Sequence, residues 1–295
     1  MMIDVNNNKQ DIVAGDDSRN LQIVNSVLNI NGVTPEEVKS ICVGLMQDNF
    51  IKLRDEALQV VNDRMSVFVE RFSNIVKFNN PTHIESLKSP SIQQAIFTAQ
   101  KAYALNAECN LDFYIYLLEE MLSVGNSQFE HILFSEAINK TGLLTKRQLQ
   151  ILKVLFEINH MRPTNQKLEM VIRYFEKIIK GLKDLNVTHM DISHLLYTGC
   201  VVTYGLAQNP FSSIFKHSLE VNDTGINKEA LKDLDWHKYI EMHPQLLDIE
   251  STWNNHELCH LLLTSVGMTI AVSQYNLDVP YNKVNYNNLI GDFKY

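Results

Sequence analysis

Beyond residue 34, apolar positions recur at helical spacing for most of the chain. TPEEV reads as a helix start: Thr34 suits an N-cap, Pro35 the first helical position, and Glu37 the capping box. Apolar residues then fall at Val38, Ile41, Cys42, Leu45, Leu53, Ala57, Val60, Val61, Phe68, Phe72 and Ile75. One helix over 35–78 would span roughly 66 Å at 1.5 Å per residue. That is too long for a compact domain, so the pattern predicts a break near Asp48–Asn49 or a helix that projects onto a partner. Beyond Pro81 the periodicity predicts helices over 90–106, 111–124, 128–140, 145–159, 165–183 and 190–207. Asn110 and Thr145 stand at N-cap positions, Gln148 completes a capping box with Thr145, and Gly125 and Gly142 mark helix ends.

The first 33 residues follow another pattern. MMIDVNNNKQDIVAGDDSRN is polar and rich in Asn and Asp. It leads into NLQIVNSVLNING, where Leu21, Ile23, Val27, Leu28 and Ile30 stand among polar residues before an Asn31-Gly32 turn signal, a β-like stretch. A strand this short is marginal in water unless it joins a sheet. It adds either to the body of its own subunit or to another subunit. In the second case residues 20–31 form an oligomerisation arm whose contacts are those five apolar residues.

The chain therefore reads as mainly α, with a polar tail and β arm over 1–33, a long helix or helix pair over 34–80 and a helical body over 81–220. Residues 221–295 form a winged-helix-like segment. LLDIESTW-NN-HELCHLLL reads as two β stretches about an Asn254-Asn255 turn, and Thr264 in the following LTSVG is an N-cap for SVGMTIAVSQY. This resembles the closing wing and helix of winged-helix domains, where an LTxxG sequence leaves the second wing strand.

With 45% hydrophobic and 20% charged residues, the composition is that of a globular protein. A net charge of −8 opposes generic coating of nucleic acid. Cys42, Cys109, Cys200 and Cys259 are scattered, as in reduced thiols of an intracellular protein. The N-terminus is too polar for a signal peptide, and no apolar run reaches the ~20 residues of a membrane helix. The expectation is a soluble, cytoplasmic protein without membrane contact.

Candidate chemistry is sparse. HELCH (residues 256–260) fits H-E-x-x-H, in which His256 and His260 would bind zinc and Glu257 would act as base. A catalytic zinc needs a third protein ligand. After His260 the chain has no His or Glu, only Asp278 and Asp292. In a strand the two histidines would also lie roughly 13 Å apart at ~3.3 Å per residue. No phosphate-binding loop or nucleophile elbow is present, and the expectation is no cofactor, no metal and no catalytic residue. Lys167, Arg173, Lys177, Lys180 and Lys183 share helical spacing. They read either as a solvated face interleaved with Glu169 and Glu176 or as a docking face for an acidic partner or nucleic acid.

Four stretches together resemble an uncharacterised group of bacterial proteins that open with a GD-x-S-x-N-(I/L)-Q strand and a long helix. They are GDDSRNLQIVNSVLNING, TPEEVKSICVGLMQDNFIKLRDEA, LLTKRQLQIL (residues 143–152) and LTSVGMTIA (residues 263–271). Members look like accessory genes, and the strand motif is similar to ones in conflict and phage-defence proteins. The resemblance brings no catalytic residue. It implies a non-enzymatic, self-assembling interaction module, a homo-oligomer with a partner protein, in anti-phage defence. Two alternatives stand beside it: a winged-helix nucleic-acid binder, with weak binding, and a zinc-dependent hydrolase using HELCH.

Overall fold

The computed structural model describes residues 40, 43–44, 55–79, 86–106, 109–123, 128–161, 163, 167–203, 209–220, 235–255 and 257–284. The architecture is mainly α. Its first helices are α1 (Asp55–Asn79), α2 (Pro90–Leu105), α3 (Leu111–Ser123), α4 (Gln128–Thr141), α5 (Lys146–His160), α6 (Leu168–Leu185) and α7 (His189–Tyr197). Strand β1 (Val201–Thr203) follows, then α8 (Phe211–Glu220), α9 (Trp236–Met242) and α10 (Pro244–Asn255). A 3-10 turn at Leu258–His260 leads into β2 (Leu261–Leu263) and α11 (Ser265–Asp278). No helix among the described residues is long and apolar enough to cross a membrane.

The helices form where apolar spacing and capping agree. On α1, Val61, Met65, Phe68, Phe72 and Ile75 are buried at alternating steps of four and three, one stripe of a helix. Arg64 on the same helix donates to the carbonyls of Tyr103 and Ala104 at 3.4 and 3.3 Å. Those carbonyls end α2, where backbone acceptors are unpaired and the helix dipole favours a cation. Thr145 and Gln148 make the predicted capping box at the start of α5. Gly142 ends the turn after α4, where an added Cβ would sit 3.3 Å from Tyr114 Oη and 3.4 Å from Ala102 Cβ.

Helix α11 is the centre of the core. Residues 267–276 are all buried, and the helix packs against α5, α4 and α3. A helix buried on every side has to satisfy its polar groups internally. Thr269 Oγ1 donates to the Ser265 carbonyl, Gln274 Nε2 to Asp278 Oδ1, and Asn276 exchanges two hydrogen bonds with the Val284 backbone. On the other flank, α6 buries Val171, Ile172, Phe175, Ile178, Ile179 and Leu182 against α5 and α10. Phe175 continues into an aromatic cluster with Phe211, Phe215, Trp236 and Tyr239.

Three expectations change. The helix predicted over 190–207 stops at Tyr197. Gly199 takes φ 71, a conformation glycine adopts freely, and its N–H bonds the Leu196 carbonyl while that of Cys200 bonds the Leu195 carbonyl. The pair closes the helix as a Schellman motif and turns the chain into β1. The hairpin read from LLDIESTW and HELCHLLL is not formed. Residues 244–255 are helical because Pro244 suits a helix start and Leu246, Ile249 and Trp253 bury one stripe. The wing strand β2 instead pairs antiparallel with the distant β1, in the register Val201↔Leu263, Val202↔Leu262, Thr203↔Leu261. Helix α6 also runs later than predicted, to Leu185. The expected break near Asp48–Asn49 lies outside the described residues.

Candidate docking site

Helix α7 and strand β1 are held at both ends by the two motifs LLTKRQLQIL and LTSVGMTIA. The chain leaves α6 through Asn186, in the left-handed region at φ 48, which Asn tolerates better than most residues. Thr188 then caps α7, and Asp191 closes a capping box by accepting from the Thr188 N–H at 3.0 Å and its hydroxyl at 2.7 Å. Asp191 Oδ1 also accepts from Arg147 at the start of α5, at 3.1 Å from Nε and 3.0 Å from Nη2. The Asp191 side chain is 5% exposed. Burial opposes its charge, yet the hydrogen bonds from Thr188 and the Arg147 guanidinium outweigh burial and hold the carboxyl below the usual range.

Gln148 ties the same two helix starts together. Its Oε1 accepts from the Thr145 N–H, and its Nε2 lies 3.0 Å from His194 Nδ1 and donates to the Asp191 carbonyl. The other end of α7 is pinned by Thr264. Its hydroxyl donates to the Gly199 carbonyl at 2.7 Å, its N–H donates to the Cys200 carbonyl at 3.1 Å, and its Oγ1 caps α11 by accepting from Gly267. Both motifs thus act as braces for residues 188–203.

What the braces present to solvent includes an apolar stripe and no exposed Asp, Glu, Lys or Arg. The inward residues of α7 are Asp191, Ile192 and Leu195. Met190, His194 and Tyr197 share an outward stripe at steps of four and three, with Met190 75% and Tyr197 83% exposed. The Tyr197 ring stacks near that of His194, centroids 6.1 Å apart. Val202, 46% exposed, extends this surface onto β1. No exposed residue of α7 or β1 is Asp, Glu, Lys or Arg. The sheet beside it has two strands among the described residues.

The residues singled out in the sequence lie elsewhere. Leu21, Ile23, Val27, Leu28 and Ile30 lie outside the described residues. Lys167 precedes α6 as its N-cap residue. Along the helix Arg173 pairs with Glu169 at 2.5 Å, and Lys183 pairs with Asp248 of α10 at 2.5 Å. Lys177 and Lys180 are exposed alongside Glu176, so the cations of this face are interleaved with carboxylates. In HELCH, His256 lies outside the described residues. Glu257 takes φ 57 and separates the end of α10 from the 3-10 turn that holds Cys259 and His260. The helical turn that sets two histidines over one ion is therefore interrupted at Glu257. The Glu257 carboxylate lies 3.7 Å from His189 Nδ1 of α7. Among the described residues no three His, Cys, Asp or Glu side chains converge as a metal site.

The surface of α7 was not singled out in the sequence, though a signal was there. In HMDISHLLY, Met190 and Tyr197 repeat at a spacing of seven outside the inward stripe of Ile192 and Leu195.

One protein-family model matches the chain, over residues 32–239. No curated protein and no solved structure matches it.

Proposed function

The chain belongs to the family whose model spans residues 32–239, and we propose that it works as a non-enzymatic, self-assembling protein-interaction module docking through α7 and β1. The observation that carries this reading is the exposed Met190–Tyr197–Val202 surface. Apolar side chains held outward on a braced helix gain by being covered, on the order of 1.5–3 kcal/mol for each large one fully buried. The bacterial accessory character implied by the opening motifs supports a place for the module in anti-phage defence, with a partner protein.

The test is the mass of the particle by light scattering over a range of concentrations. The intact chain should assemble. A Met190→Asp, Tyr197→Asp double variant should remain a monomer with an unchanged far-UV circular dichroism spectrum. A Lys177→Glu, Lys180→Glu variant on the outer face of α6 should assemble as the parent does. A monomer at every concentration, or an assembly indifferent to the double variant, overturns the reading.

One observation favours a second reading. Residues 186–188 join α6 to α7 as a short turn, and β1 follows, the element order of a helix-turn-helix with a wing. Against nucleic acid stands the exposed face of α7, which offers no Arg, Lys, Asn or Gln to base edges. Salt-dependent DNA binding abolished by substitutions on α7 would favour this alternative.

A further inference from the structure

We infer that α3 and α11 form a binding site for an extended peptide carrying a basic residue followed by an aliphatic one, and that the chain's own Lys283 and Val284 fill it as an exchangeable strap. This does not depend on the α7 surface. Helix α11 stops just before Pro280, and a 3-10 turn over Pro280–Asn282 sends the chain back toward the helix. Val284 thereby returns to the side of Asn276, eight residues earlier. The Val284 N–H donates to Asn276 Oδ1 at 2.7 Å, and Asn276 Nδ2 donates to the Val284 carbonyl at 3.0 Å.

An asparagine that is 4% exposed and gives both amide atoms to the main chain of one residue reads backbone, not side chain. Any extended residue with an N–H satisfies it, and proline does not. Selectivity comes from the neighbours. Lys283 Nζ lies 4.9 Å from the centroid of the Tyr116 ring, a cation–π contact. Tyr116 belongs to α3 and is buried; burial and then the Glu120 carboxylate push its phenol up. Glu120 thus sets a negative charge near the ring, which favours a cation at the first position and opposes an anion. Val284 is partly buried against the core, which suits an aliphatic residue at the second.

The strap is the part of this site that opens. Tyr281 and Lys283 are exposed, so the turn itself adds little burial. Its described contacts are the Asn276 pair, the Tyr116 ring and the partly buried Val284, whereas residues 267–276 of α11 are all buried. Segments with few buried contacts open locally while the rest of the fold stays closed. Opening leaves the buried Asn276 amide without its main-chain partner, a costly state that another extended main chain relieves. A peptide of the strap's chemistry therefore competes for the site in trans.

The experiment uses the full-length chain and a fluorescein-labelled peptide of residues 280–286, PYNKVNY, followed by fluorescence anisotropy. In the parent the strap competes from within, so binding should be weak. Val284→Pro in the chain removes the N–H that Asn276 Oδ1 accepts and frees the site; this chain should bind the peptide about tenfold tighter than the parent. The same substitution placed in the peptide should abolish binding, and Lys283→Glu in the peptide should weaken it several-fold. Lys283→Ala in the chain changes an exposed side chain, leaves the Asn276 pair untouched and should also raise affinity, which keeps the test open where Val284→Pro disturbs the fold. A variant chain with the parent's circular dichroism spectrum that binds the peptide no tighter than the parent overturns the inference. So does equal binding of the native peptide and the one carrying Val284→Pro.

Discussion

Replacing Gly267 by Ala tests whether the brace behind β1 is as tight as its geometry requires. Gly267 lies in the first turn of α11, directly behind the backbone of Cys200. A Cβ built there falls on the Cys200 carbonyl oxygen, 2.8 Å from the carbonyl carbon and 3.2 Å from Cα. Carbon atoms in contact prefer about 3.5–4.0 Å, so β1 and α11 must separate by on the order of 1 Å. The obstacle is backbone and cannot rotate away, which puts the cost near the upper overpacking value of about 3 kcal/mol. The same movement strains the Thr264 bonds to Gly199 and Cys200, worth about 1 kcal/mol each. Removing a helical glycine returns up to about 1 kcal/mol. The net loss is on the order of 3 kcal/mol, or a fall in melting temperature of roughly 6–12 °C. Gly181→Ala is the matched control: it lies in α6 with nothing within 4 Å of an added Cβ, and should stabilise by about 0.5–1 kcal/mol. Urea and thermal unfolding followed by circular dichroism measure both. A Gly267→Ala chain as stable as the parent would refute the close approach of α11 and β1.

Two further outcomes follow from buried groups. Asp191 has a folded pKa below its unfolded value of about 3.9, so its contribution is complete above that pH and is lost as pH falls through the folded value. Asp191→Asn should lower the urea midpoint at neutral pH by about 2 kcal/mol equivalent and flatten the acid limb, because the half-exposed Arg147 loses its partner; an unchanged midpoint contradicts the brace. Burial pushes the Tyr239 phenol up to about 12, so the unfolded chain ionises first and stability is lost as pH rises from about 10 toward that value. Its hydroxyl has no protein partner among the described residues, so Tyr239→Phe should be neutral or slightly stabilising at pH 7 and less sensitive to alkali.

Local signals in the sequence were legible where a short-range rule decided the outcome. Thr145 with Gln148, Thr264 before SVG, and the α1 stripe from Val61 to Ile75 all formed as their spacing dictates. The segment 244–255 misled because LLDIE reads equally as a short strand. Trp253, which donates to the Asn209 carbonyl and fixes the third buried turn of the helix, is seen to matter only once residue 209 is beside it. The pairing of β1 with β2 joins segments far apart in the chain, so no local pattern could announce it. The exposed stripe of α7 was hidden for a related reason. Met190 and Tyr197 look like core residues until Asp191, Gln148 and Thr264 fix which side of α7 turns inward.

Hydrogen exchange at β1, read at low and high protein concentration, tests self-assembly through this surface most directly. The account predicts that protection of residues 189–203 rises with concentration while the outer face of α6 stays unchanged. Equal protection of 189–203 at both concentrations, in a chain whose particle mass grows, would contradict it.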